Sequence, residues 1–86
     1  NDELYSNGLI AHSVNWIYKE PASPMVVTAR IRYRHEGVES TISRQDNGVV
    51  ARFSKPQKAV TPGQAVVFYD GEMVIGGGWI ESAINF

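Results

Sequence analysis

Two histidines, nine carboxylates and no cysteine are the groups from which this chain would have to build any reaction centre. Catalysis needs an activated nucleophile, a base with a tuned pKa, or a metal held with an open position. The missing Cys removes thiolate nucleophiles, thiolate metal ligands and disulfides together. His12 and His35 lie in different strand-like segments, and neither has a partner at HxxxH or HExxH spacing. Both read as surface or hydrogen-bonded structural histidines. The carboxylates are scattered and several fall at turn signals, so no acid–base pair is written in their spacing. Gly76-Gly77-Gly78 is followed neither by Lys-Ser/Thr nor by a helix-forming run, so it is not a phosphate loop. It reads as a strand bend where another backbone passes closely. We therefore expect no catalytic residue and no metal site.

Arginine offers more. Arg30, Arg32 and Arg34 alternate along one strand-like segment and project from one face at intervals of ~6.6–6.8 Å. Guanidinium forks match phosphate oxygens, and this interval is close to the separation of successive phosphates along a nucleic-acid strand. A solvated face paired across the sheet with Glu39 or Glu36 is the favoured reading, and RNA contact is the second. Lys55 and Lys58 either extend the basic patch or solubilise a loop. Trp16, Tyr18, Tyr33, Phe53, Phe68, Tyr69 and Trp79 all fall in strand-like segments. Core packing is expected of them, with stacking on exposed bases as the alternative.

Strands must position these groups. Period-two alternation punctuated by Gly, Pro, Asn and Asp runs along the chain, and no segment keeps a helical period. Leu9 to Tyr18 reads as the first strand, stopped by Pro21-Ala22-Ser23-Pro24. Met25 to His35 alternates most clearly, with Val27, Ala29, Ile31 and Tyr33 on one side and Thr28 and the arginines on the other. Glu36-Gly37 turns the chain into Val38 to Arg44. Asp46-Asn47-Gly48 signals a hairpin into Val49 to Ser54, because Asn and Gly accept the positive φ of primed turns. Lys55 to Val60 reads as a crossing loop. Thr61-Pro62-Gly63-Gln64 puts Pro and Gly at the centre of a type II turn. Ala65 to Tyr69 is apolar almost throughout, which predicts burial on both faces. Asp70-Gly71 signals a second hairpin into Glu72 to Ile75. The triple glycine then interrupts, and Trp79 to Ala83 is the last strand.

Six or seven short strands at this spacing predict an all-β fold, a small antiparallel barrel or sandwich with no long helix. The barrel is preferred, because closure removes strand edges that so small a sheet could not cover. With 86 residues and no internal repeat there is one domain. A net charge of −1 argues against a free-standing nucleic-acid binder, so RNA contact would need a local patch or a larger protein. No apolar run approaches the ~20 residues of a membrane span, and the polar, acidic Asn1-Asp2-Glu3 does not read as a signal-peptide pattern. A cytoplasmic home without membrane partners fits. The chain opens on Asn1, which reads as a fragment of a longer protein or a processed chain.

The stretch Pro56-Gln57-Lys58-Ala59-Val60-Thr61-Pro62-Gly63-Gln64, an apolar strand ending in Tyr69, and Gly76-Gly77-Gly78-Trp79-Ile80-Glu81 resemble the closing region of tRNA-specific 2-thiouridylases. Leu4-Tyr5-Ser6, Asn15-Trp16 and Arg32-Tyr33-Arg34 extend the resemblance over essentially the whole chain. It implies a barrel of translation-factor-like or aminomethyltransferase-like type, following a catalytic ATP-pyrophosphatase domain and a short central domain. Residues 1–86 would be that single C-terminal domain, with 1–6 as linker and 83–86 as tail. The parent enzyme would activate the C2 oxygen of the wobble uridine of tRNA with ATP and take sulfur from a persulfide donor through catalytic cysteines. Its nucleotide-binding Ser-Gly-Gly-x-Asp-Ser loop and its cysteines have no counterpart here, so the chain alone is expected to be inert and to hold no cofactor. Its partners would be tRNA and the other two domains. Arg30, Arg32, Arg34, Lys55 and Lys58 would meet RNA. The Thr61, Pro62, Gly63, Gln64 turn and the glycines at 76, 77 and 78 would shape loops near the active site. The alternative is a purely structural or protein-binding barrel of translation-factor type that touches no RNA.

Overall fold

Residues 5–31, 36–46 and 48–86 are described by the computed structural model of the chain. Six strands follow the alternating segments: β1 (Tyr5–Trp16), β2 (Met25–Arg30), β3 (Val38–Gln45), β4 (Gly48–Lys58), β5 (Ala65–Asp70) and β6 (Met73–Ile84). They pair antiparallel in the order β1-β4-β3-β2-β5-β6 and close, β6 returning to β1. No helix occurs among the described residues. The expected small antiparallel barrel is what forms, with six strands.

Alternation decides what fills it. Val27, Ala29 and Ile31 point inward as predicted, joined by Leu9, Ile42, Val49, Phe53, Val66, Phe68 and Ile80, all buried. Ala11, Ala29 and Ala51 are fully buried, and small residues of this kind are what a narrow lumen admits beside large ones such as Phe68 and Leu9. Burying a side chain such as Phe68 contributes about 1.5–3 kcal/mol. The buried Ser40 hydroxyl donates to the Val38 carbonyl at 3.0 Å, so its burial leaves no orphaned donor.

The glycine triplet does not interrupt the chain. β6 runs through it as one strand, because the glycines let the backbones of β1 and β5 come close. A Cβ at Gly77 would lie 2.8 Å from the Val66 carbonyl oxygen on β5, and one at Gly78 2.8 Å from that of His12 on β1. A Cβ at Gly76 would strike the Trp16 ring. That ring instead lies over the glycine and stacks on Phe68, centroids 5.9 Å apart at 28°. Opposite the triplet, β1 carries a bulge: His12 faces Trp79 and Asn15 faces Gly77, with Ser13 at φ 52° between them.

Other boundaries move for identifiable reasons. β1 starts at Tyr5 and stops at Trp16, and β6 reaches Ile84, so strand takes up part of the segments 1–6 and 83–86 read as linker and tail. β2 ends at Arg30, with the buried Ile31 just beyond it, and the predicted extension through Tyr33 and His35 lies outside the described residues. Lys55 to Lys58, read as loop, belongs to β4. The β3 ladder ends at Ser40 and Phe53, so the missing N–H of Pro56 costs no bond to β3, and Lys58 pairs again with Tyr5. β5 is buried on its lumen face only: Val66 and Phe68 are inside, Val67 and Tyr69 half-buried. The second hairpin shifts by one residue. Asp70 pairs with Met73, so Gly71-Glu72 is the turn, with Gly71 at φ 62° in the first central place of a two-residue loop.

The type II turn forms as expected. Gly63 has φ 91°, and the Gln64 amide donates to the Thr61 carbonyl at 3.3 Å. Nothing lies within 4 Å of a Cβ placed on Gly63, so substitution there tests backbone strain alone. Gly63→Val should lower the unfolding free energy by about 1–3 kcal/mol in chemical denaturation, and a variant as stable as the parent would contradict the turn. Gly76→Ala should cost a similar ~1–3 kcal/mol for a different reason, displacement of Trp16, visible as a change in near-ultraviolet circular dichroism.

Candidate functional site

The side chains with functional promise separate into three places. Arg30 closes β2, half-buried, with its guanidinium carbon 5.4 Å from the centroid of the Tyr69 ring. Its Nε is buried and meets no acceptor among the described residues. Glu36 and Glu72 line the same cleft of about 270 Å³, together with Thr28 and Gly71. Among the described residues one guanidinium shares this cleft with two carboxylates, a balance that does not favour a phosphate. Arg32 and Arg34 lie outside the described residues, so only the first member of the arginine stripe is placed. Glu39 pairs with Thr28 in register and shares a cleft with Arg52.

A second place is the far half of β4. Ser6 pairs with Gln57 and Gly8 with Arg52, so Asn7 alone faces the four residues Phe53, Ser54, Lys55 and Pro56. β4 bulges there, and Arg52, Ser54, Lys55, Pro56 and Lys58 are all exposed. The side-chain amide of Gln57 donates to two carbonyls of the bulge, Lys55 at 3.0 Å and Pro56 at 3.1 Å. Arg52 lies over the Phe86 ring at 4.0 Å. Asn7 holds that end of the chain by two bonds, its amide donating to Asn85 Oδ1 and its Oδ1 accepting from the Phe86 amide. The ion pair recorded among the described residues is elsewhere, between Arg44 and Glu20.

The third place joins two motifs distant in sequence. The Thr61–Gln64 turn docks on β6: the Gly63 amide donates to the Ile80 carbonyl at 2.9 Å, and the Ile80 amide to Gln64 at 2.7 Å. Thr61 closes the turn's approach through its hydroxyl, which donates to the Ala59 carbonyl. Trp79, next to Ile80, pairs with Ala65 and His12 and is 50% exposed. The aromatics thus divide. Phe53 and Phe68 are core, Trp16 packs against it, and Tyr69 is half-buried under Arg30, whereas Trp79 and Tyr18 face outward, against the expectation of core packing. Their place in strand-like sequence could not show this, since an outward aromatic on a strand has the same alternation as an inward one. Tyr33 lies outside the described residues. His12 Nδ1 sits 3.0 Å from the Ser13 hydroxyl, an exposed contact between neighbours at the β1 bulge. No three His, Asp or Glu residues converge for a metal among the described residues, and no described helix is long and apolar enough to cross a membrane.

What fold and surface define is a small closed antiparallel β-barrel domain whose motif residues serve geometry. Residues 6–80 match the aminomethyltransferase β-barrel domain, and the chain belongs to that family. Its relatives include the tRNA-specific 2-thiouridylase MnmA of Geotalea uraniireducens, 52% identical over 85 residues and 98% of this chain. The protein of the same name from Koribacter versatilis is 52% identical over 93% of the chain, and that of Oceanobacillus iheyensis 46% over 99%. In these three relatives the match falls on the C-terminal part and covers 23%, 22% and 24% of their length. The resemblance read from the sequence is borne out.

Outward placement of Trp79 has a measurable consequence. Trp79→Ala should change the unfolding free energy by no more than about 1 kcal/mol, as surface substitutions do. Trp16→Ala, which removes a ring packed on Phe68, should cost about 3 kcal/mol or more. Equal losses in denaturant titrations would contradict the assignment.

Proposed function

We propose that this chain is the C-terminal barrel of a tRNA-specific 2-thiouridylase, and that it helps hold tRNA without supplying a catalytic group. The observation that carries the reading is identity of 52% along 98% of the chain to an enzyme of that name, confined to 23% of the enzyme's length. In the parent, a cytoplasmic enzyme, ATP activates the wobble uridine and a persulfide donor supplies sulfur, both within the preceding domains. The barrel contributes shape and positive charge. Lys55 and Lys58, exposed and without an ion pair among the described residues, support the second role.

A purely structural role also has an observation behind it. Trp79 is half-exposed beside the Thr61–Gln64 turn, and the chain carries a net charge of −1. Such a face suits packing against the rest of the enzyme.

Titration of the 86-residue chain with a fluorescent tRNA at low salt separates the two. The RNA-holding reading expects saturable binding in the ~10⁻⁴–10⁻⁶ M range that weakens as salt rises. Absence of binding at millimolar concentration would leave the structural role.

A further inference from the structure

Six of the eight Lys and Arg residues are described, and they are not evenly used. Arg44 is tied to Glu20, whose neighbour Lys19 shares its loop. Arg30 sits in a cleft with two carboxylates. The remaining three, Arg52, Lys55 and Lys58, fall within seven consecutive positions of β4. Of these, Arg52 lies against Phe86 and shares a cleft with Glu39, which leaves Lys55 and Lys58 as neighbouring exposed cations without an ion pair among the described residues.

The backbone beneath that pair is built. A bulge of four residues opposite one would normally expose carbonyl oxygens that repel an anion. Gln57 lessens this difficulty, because its side-chain amide donates to two of the four carbonyls, those of Lys55 and Pro56. Gln57 thus braces the chain on which Lys55 stands, and Lys58 follows three residues on, where the ladder with β1 has resumed. Bulges re-aim side chains in this way at functional surfaces. Tyr5, 43% exposed, pairs with Lys58 across the ladder and offers a ring beside the cations. Basic side chains interleaved with an exposed aromatic are what an unpaired nucleic-acid strand binds. The simpler role for Lys and Pro here is to guard an open strand edge against pairing. An edge guard gains nothing from an amide clamp on the bulge, and the clamp is present.

We propose that the Gln57-clamped bulge of β4, with Lys55, Lys58 and Tyr5, is the barrel's contact for the backbone and an unpaired base of RNA, and that the Arg30 cleft is not. This rests on the tRNA-holding reading above and gives it an address, in which Gln57 is a positioning residue.

Amide chemical-shift mapping of the 86-residue chain with an anticodon stem-loop RNA tests it. Shifts should concentrate at residues 52–58 and at Tyr5 and Ser6. Lys55→Ala/Lys58→Ala should weaken binding at least fivefold and reduce the slope of log affinity against log salt by about 1.4–1.8, at 0.7–0.9 per lost contact. Gln57→Ala should also lower that slope although it removes no charge, and Gln57→Asn should restore part of it. Shifts centred on Arg30 and Tyr69 or on Trp79, with the lysine variant binding normally, would overturn this address while leaving the tRNA-holding role standing. No shifts at millimolar RNA would overturn both.

Discussion

Closure of the barrel depends on three absent Cβ atoms. β6 must lie against β5 on one side and the bulged end of β1 on the other, and at Gly76, Gly77 and Gly78 a side chain would meet a carbonyl oxygen or the Trp16 ring. Because those positions are empty, Trp16 can reach over the strand to Phe68, and the sheet can seal at its last seam. The docked turn at Thr61–Gln64 then falls into place through two bonds with Ile80. Core, seam and turn are in this sense one arrangement. The motif that identifies the family is first a packing device, and glycine is required there by close approach rather than by backbone angle.

What the barrel presents outward is divided by chemistry. Its β6 face shows Trp79 near a rigid turn and suits a protein neighbour. Its β4 edge shows exposed cations over a clamped bulge and suits an anion. The Arg30 cleft, among the described residues, mixes one positive group with two negative ones. Both usable faces draw on the motif stretch from Pro56 to Glu81, which accounts physically for the length of the motif. Net charge of the chain therefore says little about its surface, since local patches differ in sign from the whole.

Much of the fold was legible because alternation carries it. Val27, Ala29 and Ile31 faced inward as their spacing required, and the Pro62-Gly63 turn formed where its dihedral preferences put it. The errors have a common physical source. A strand running through glycines, or past a proline on a side without a partner, cannot be told from a break by local preference, because the partner strands decide whether pairing continues. Hence Gly76–Gly78 and Lys55–Lys58 read as interruptions. Burial of β5 failed similarly: an apolar run shows what a strand could bury, and closure into a barrel left its outer face half-open. At the site level, Lys55 and Lys58 were visible as charges, while the Gln57 clamp and the register of Tyr5 with Lys58 exist only in the folded ladder.

The absence of Cys allows a single spin label to be attached at a chosen place, and paramagnetic broadening of a bound stem-loop RNA then reads distance to that place. With the label on Ser54→Cys, at the crest of the bulge, RNA resonances should broaden strongly. A label on Thr28→Cys, beside the Arg30 cleft, should leave them sharp. The reverse pattern would place RNA on the β2–β5 face and contradict the account.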